Sequence, residues 1–283
     1  MMTWLQTIIY GIIQGITEWL PISSTGHLLL ADELMQMQVF DNPVLNQEFL
    51  NMFFVVIQFG SILAVCLLYF HKLNPFSPKK NETEKKDTLA LWGKVIVGCI
   101  PAGIAGILLD DVIDAYLHGP VVIAIMLIVY GVFFLVIENQ KRSAKVTSFA
   151  VMSFKTALLI GCCQMLALIP GTSRSGATIL GAVLIGCSRE IAAEFSFFLA
   201  VPVMAGASLL KVLKMFKAGV VMNALGWGVL GLGTLVSFVV SVLAIRFLMS
   251  YIRKNDFKIF GVYRIVLGLI ILAVMLFSSI SLH

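Results

Sequence analysis

Apolar residues in this chain neither alternate nor recur as a narrow helical stripe; they run almost unbroken for about 20 residues at a time, and they do so six times. The runs cover 49 to 70, 89 to 109, 119 to 137, 190 to 210, 224 to 246 and 259 to 280. A spanning helix needs about 20 mostly apolar residues, so each run predicts one transmembrane helix. Together they leave no room for a soluble domain.

Two stretches break this pattern. Residues 4 to 16 give an apolar run of about 13 residues before Glu18, and Leu28 to Ala31 add one helical turn before Asp32 and Glu33. Ala177 to Cys187, about 16 Å when helical, is also too short to cross. Pro21, Gly26, Pro170, Gly171 and Gly176 interrupt both stretches, and broken backbone at membrane depth is tolerated only inside protein or beside a water-filled cavity. Each stretch is therefore expected to be a re-entrant helix, loop and helix; two full crossings are the alternative.

The interrupted stretches are related. QGITEWLPISSTGH (14 to 27) and GCCQMLALIPGTSRSG (161 to 176) match at an offset of 150, with Gly11 over Gly161, Gln14 over Gln164, Ser23 over Ser173 and Gly26 over Gly176. Gln58 to Val65 and Glu194 to Val201 echo each other at an offset of 136. Three predicted spans lie between the two copies, so the second enters from the opposite side. The expected fold is an all-α integral membrane protein of six transmembrane helices plus two opposed hairpins. It forms one membrane domain, 1 to 283, built as an inverted-topology repeat of about 1 to 139 and about 150 to 283.

Composition agrees: 59% of the 283 residues are hydrophobic and 12% charged, far more apolar surface than a soluble core hides. The net charge of +5 would suggest nucleic acid in a soluble domain, but here the basic residues crowd short inter-span loops, so no nucleic-acid partner is expected. Loop 71 to 88 has five, loop 138 to 155 four, Arg189 is one, and Arg246 to Lys258 holds four, which places 14 of the 20 on one side. That side should be cytoplasmic. Asp110, Asp111 and Asp114 form an acidic loop on the other face, with Lys211, Lys214 and Lys217 as an exception. The first hairpin then dips in from outside, the second from the cytoplasm, and both termini lie outside. The N-terminus lacks the basic region and cleavage site of a removable signal peptide. All five cysteines lie in apolar runs without metal or disulfide spacing.

An ionisable residue within the membrane usually pairs and marks a functional path. Arg174 lies in GTSRSGAT, among hydroxyls and glycines just ahead of a helix expected to begin near Ala177. A guanidinium fork, hydroxyls and a helix N-terminus make an anion site suited to phosphate; the plainer reading is an ion pair with Glu18 or Glu194. Glu18 and His27 bracket Ser23, Ser24 and Thr25, a set able to supply a nucleophile and a general base, and a carboxylate can hold Mg²⁺ or Ca²⁺ beside phosphate oxygens. Gln14 precedes Glu18 by four residues and shares its helix face. Its repeat mate Gln164 has either a structural role or a further one. Lys94, Glu194 and Arg264 are buried-looking charges with no assigned role.

EWLPISSTGH at 18 to 27, preceded by Gln14, and PGTSRSGAT at 170 to 178 resemble the two signature motifs of the undecaprenyl-diphosphatase family, also called the bacitracin-resistance proteins BacA. EFSFFLAVP at 194 to 202 resembles a further family stretch. The resemblance covers essentially the whole chain, and the family pattern admits Glu or Gln at the position of Gln14. It implies hydrolysis of undecaprenyl diphosphate to undecaprenyl phosphate and inorganic phosphate, a divalent cation (Mg²⁺ or Ca²⁺), six spans and two opposed hairpins. Carried over residue by residue, Glu18, Ser24, His27 and Arg174 are catalytic candidates, with Glu18 also the metal candidate. Ser23, Thr25, Ser173, Ser175 and Thr178 line the phosphate site, with Gln14, Gly26 and Gly176 beside them. The expected partners are a polyprenyl diphosphate substrate and membrane lipid, and a homodimer is left open. The expected location is the bacterial plasma membrane, multi-pass, with the site facing outward. A lipid-phosphate transporter or flippase is the rival from another class, since opposed broken hairpins also build transport sites. The type 2 phosphatidic acid phosphatases are a weaker fit, because no second histidine follows Arg174 at their spacing.

Overall fold

A computed structural model of the chain describes residues 2–117, 119–140, 143–217 and 222–277, which are all-helical apart from loops and one isolated bridge. In order the helices are α1 (Met2–Thr17), α2 (Ser24–Met35), α3 (Pro43–Leu68), α4 (Phe70–Leu73), α5 (Glu82–Tyr116), α6 (Pro120–Asn139), α7 (Phe154–Met165), α8 (Arg174–Ile185), α9 (Arg189–Lys217), α10 (Ala224–Ile252) and α11 (Lys258–Phe277). A single 3-10 turn, Leu166–Leu168, follows α7. Among the described residues six helices, α3, α5, α6, α9, α10 and α11, are long and apolar enough to cross a membrane. They coincide with the six apolar runs, and the protein is a multi-pass membrane protein.

α3 and α5 start well ahead of their apolar runs because polar caps begin them outside the apolar core. Asn42 accepts from the amides of Val44 and Leu45, with Pro43 at the first helical position. Asn81 and Glu84 form a reciprocal capping box that begins α5 seven residues before the run at 89. Three expectations are corrected here. The acidic group Asp110 to Asp114 lies on α5, which continues to Tyr116, and is not a loop. α2 does not stop at Ala31: it runs through Asp32, whose carboxylate accepts from the Tyr10 hydroxyl at 2.9 Å. α8 begins at Arg174 and not near Ala177, because Ser173 caps it by accepting from the Gly176 amide. The side chains of Asp110, Asp111 and Asp114, the charges counted at Lys141 and Arg142, and the C-terminus beyond residue 277 lie outside what the structure describes.

α1 packs against α10, and α7 packs against α5, each through a glycine that lets backbones touch. A Cβ at Gly11 would stand 3.0 Å from the Gly233 carbonyl, and one at Gly161 only 2.2 Å from that of Gly98. Small residues at helix contacts replace the hydrophobic drive that is absent in lipid. The same logic puts hydroxyls inside and large apolar groups outside. Ser61 and Ser237 share a hydrogen bond of 2.8 Å at the α3 to α10 contact, while Leu235, Val239, Leu243 and Phe247 form an exposed stripe along α10. α1, α2, α7 and α8, with 16, 12, 12 and 12 residues, are shorter than a span requires, and they bring the two motif loops together.

Candidate active site

Each motif loop ends in the same unusual joint. Ser23 and Ser173 both adopt positive φ, 74° and 71°, a region that residues with a Cβ seldom occupy. Each side chain caps the helix that follows, accepting from Gly26 N at 3.4 Å and from Gly176 N at 3.1 Å. That joint makes Ser24 and Arg174, mates at the repeat offset, the first residues of α2 and α8. Both reach the same carboxylate. Ser24 Oγ donates to Glu18 Oε2 at 3.2 Å, and Arg174 Nη2 donates to Glu18 Oε1 at 3.2 Å.

Glu18 sits just past α1, its amide still bonded to the Gln14 carbonyl at 3.1 Å. The helical turn therefore continues, and Gln14 Nε2 donates to Glu18 Oε2 at 3.0 Å. Glu18 is 4% exposed and the Arg174 side chain 10%, so this is a buried pair, whose attraction is strong only because its remaining donors and acceptors are largely satisfied. Glu194, the other acid considered, pairs with Lys72 at 2.5 Å instead. Arg174 Nη1 also donates to the Ser196 carbonyl at 2.7 Å, and its guanidinium lies 5.8 Å from the centre of the Trp19 ring. Ser175 Oγ donates to the Glu18 carbonyl at 3.0 Å and stands 3.2 Å from Ser173 Oγ. Thr178 shares a bond of 2.7 Å with Ser196 Oγ.

The predicted residues thus fall into three sets. Gln14, Glu18, Ser24 and Arg174 form one hydrogen-bonded cluster, with Ser173, Ser175 and Thr178 along its α8 side. His27 stands one turn further along α2 and joins a different pair: its Nδ1 lies 2.8 Å from the Ser23 carbonyl and its Nε2 2.6 Å from the Tyr263 hydroxyl. A carbonyl only accepts, so Nδ1 carries the hydrogen and Nε2 accepts from Tyr263. Thr25 is exposed on the first turn of α2 and makes none of these contacts, and Gly26 and Gly176 serve through their capped amides.

The sequence motifs assign no role to four residues around the cluster: Trp19 and Ser196, which lie inside the motif stretches, and Tyr263 and Arg264, which lie outside them. Arg264 on α11 is fully buried, and the bonds it makes are to backbone carbonyls rather than a carboxylate. It donates to Pro21 O at 3.2 Å, Gly171 O at 2.9 Å and Thr172 O at 2.8 Å. One guanidinium therefore holds both motif loops. Its intramembrane charge marked it out, but its carbonyl partners have no sequence signature. Lys94 likewise donates to a carbonyl, that of Phe149, at 2.8 Å.

A family model described as bacitracin resistance protein BacA matches residues 7–270, which takes in both loops and the helices that position them. The chain belongs to the BacA family. Curated relatives of this BacA chain extend over nearly its full length. An undecaprenyl-diphosphatase from Enterococcus faecalis is 54% identical over 275 residues, covering 96% of this chain and 98% of its own. Undecaprenyl-diphosphatase 1 from Clostridioides difficile is 54% identical over 268 residues, with 95% and 94% covered. An undecaprenyl-diphosphatase from Lactiplantibacillus plantarum is 54% identical over 269 residues, with 94% and 96% covered.

As to metal, no group of three or more His, Cys, Asp or Glu side chains able to hold an ion occurs among the described residues. A divalent ion that takes part of its shell from substrate phosphates needs only one or two protein carboxylates. Glu18 supplies one, and the buried amide oxygen of Gln14, which has no hydrogen-bond partner, lies beside it. The donor set of this BacA chain fits a cation completed by phosphate oxygens.

Proposed function

We propose that the chain is an undecaprenyl-diphosphatase, hydrolysing undecaprenyl diphosphate to undecaprenyl phosphate and inorganic phosphate, and so recycling the lipid carrier of cell-wall synthesis and conferring bacitracin resistance. The family and the names of relatives 54% identical over nearly the whole chain support it. The observation that carries it is one buried carboxylate, Glu18, bonded to a hydroxyl from its own loop and to a guanidinium from the other.

That arrangement is a nucleophile on its base with a charge stabiliser alongside. Ser24 Oγ attacks the terminal phosphorus, Glu18 takes the hydroxyl proton, and the bond to the bridging oxygen breaks to release undecaprenyl phosphate. Water then attacks the phosphoserine, with Nε2 of His27 as the acceptor of its proton; the bond from phosphorus to Ser24 Oγ breaks as Glu18 returns its proton to that oxygen, releasing inorganic phosphate and restoring both the serine and the carboxylate. Arg174, Ser173 and Ser175 bind the phosphoryl oxygens; phosphoryl transfer depends mainly on such positioning and electrostatics. Glu18 and Gln14 would hold a divalent cation, Mg²⁺ or Ca²⁺, which neutralises phosphate charge when bound.

The architecture we assign is an inverted repeat, about 1–139 and about 150–283, with α1–α2 and α7–α8 as re-entrant hairpins. Supporting it are the matched joints at Ser23 and Ser173, the short helices on either side of them, and the exchange of α1 on α10 for α7 on α5. We assign the site to the outward face of the bacterial plasma membrane, as the family resemblance implies; the loop charges support only which ends of the spans are cytoplasmic.

Purified protein in detergent should release inorganic phosphate from undecaprenyl diphosphate with added Mg²⁺ or Ca²⁺ and lose that release in EDTA. Absence of release under any divalent cation, with lipid binding retained, would instead point to a lipid-phosphate transporter. Release that persists in EDTA would remove the cation from the mechanism.

A further inference from the structure

Gln164, the repeat mate of Gln14, has no counterpart of Glu18 to bond, because the residue at that offset is Leu168. It is nevertheless buried, at 2% exposure, with both its amide nitrogen and its amide oxygen lacking any hydrogen-bond partner. A buried amide without partners is destabilising, and native interiors rarely keep one idle. Arg174 also keeps a buried donor unused, its Nε. Both residues line one cavity of about 840 Å³ between α3, α5, α9 and the turn after α7. Two of its lining residues leave room: a Cβ at Gly103 on α5 or at Gly206 on α9 would meet nothing within 4 Å.

We infer that this cavity is the seat of the substrate's head, with Gln164 as a further diphosphate-binding residue and the Gly103 and Gly206 walls taking the first isoprene units. The inference rests on the phosphatase reading above and adds a residue and a space to it. Gln164 and Arg174 both line this volume and each keeps a buried N–H without a partner, donors that suit the oxygens of a diphosphate, and the apolar remainder of the lining suits a prenyl chain. The volume is that of a small-molecule site. The cavity lies toward the C-terminal halves of α5 and α9. By the loop-charge orientation that is the outer side, where a lipid diphosphate left on the outer leaflet would enter. The cavity at the other end, about 420 Å³, contains Arg189 and Arg253, which already pair with Glu138 and Glu190, so among the described residues its arginines are engaged with acids.

The test is steady-state phosphate release by wild type and Gln164→Leu, with thermal unfolding followed in detergent with and without inorganic pyrophosphate. If the wild type fails to release phosphate, the phosphatase reading fails. Given an active wild type, Gln164→Leu should raise KM roughly tenfold or more, as expected for one lost charge-assisted bond, and lower kcat far less. Its unfolding midpoint without ligand should hold or rise, since no protein bond is lost, and the upward shift given by pyrophosphate should shrink. Unchanged KM overturns the inference. So does a fall in midpoint that accounts for the loss, which would make Gln164 a packing residue. Should Gln164→Leu not fold, Gln164→Glu keeps the shape and sets a negative charge before the phosphates; a KM for it equal to wild type overturns the inference as well.

Discussion

Glu18 is the residue on which the site turns, because its two oxygens serve different partners. One faces the Ser24 hydroxyl and Gln14, and the other faces Arg174. Removing the carboxylate strips a buried guanidinium of its counter-charge, which costs about 3–5 kcal/mol. Glu18→Gln gives up the counter-charge as well as the base but keeps the shape and a hydrogen-bonding oxygen toward Arg174, which offsets part of that cost. It should therefore stay folded in gel filtration yet lose turnover by roughly a hundredfold or more; near-normal turnover would remove Glu18 from proton transfer. A phosphoserine at position 24 should be trapped by rapid acid quench of wild type and be missing from Ser24→Ala, read by mass spectrometry. These residues could be found in the sequence because acids, hydroxyls and arginine stand out against an apolar chain. Tyr263 could not, since it reaches His27 from 236 positions away, and only packing decides which face of α11 it occupies.

The elements meet through backbone as much as through side chains. Arg264 reaches three carbonyls in two loops, and a buried carbonyl left without its donor costs about 1–3 kcal/mol. Arg264→Ala should thus lower the unfolding midpoint in detergent markedly, and Arg264→Lys should recover little of it, because a single ammonium cannot replace a fork that spans both loops. A midpoint for Arg264→Lys equal to wild type would show that charge alone suffices. The six spans were legible from run length, and the two interruptions from Pro and Gly. Helix boundaries were not, because caps such as Asn81 with Glu84, and Ser173 with Gly176, extend helices through polar residues that an apolar count leaves out. The shared positive φ at Ser23 and Ser173 was likewise hidden, though the matched Ser and Gly spacing in both copies pointed to a common local structure.

For the molecule as a whole, the inverted repeat proposed above calls for two loops of opposed entry in one membrane domain and a basic cytoplasmic face. Single cysteines in a background lacking the five native ones should report this arrangement. A cysteine at Asp41, in the turn between α2 and α3, should react with an impermeant maleimide from outside intact cells, and one at Lys79, in the turn before α5, only after permeabilisation. The reverse pattern would invert the topology. The match between the two motif stretches was legible in sequence as a constant offset of 150, but the chemical division between them was not. Only the folded chain brings Ser24 and Arg174, mates at that offset, onto opposite oxygens of the same acid.

That joint use of one carboxylate by two loops is most directly tested by inorganic phosphate release from undecaprenyl diphosphate, comparing purified wild type with Ser24→Ala and Arg174→Ala, one change in each loop. Both variants should elute as folded protein and lose roughly a hundredfold or more in turnover, the scale of a lost nucleophile or charge stabiliser. Near wild-type turnover in either variant would contradict a site shared between the two loops.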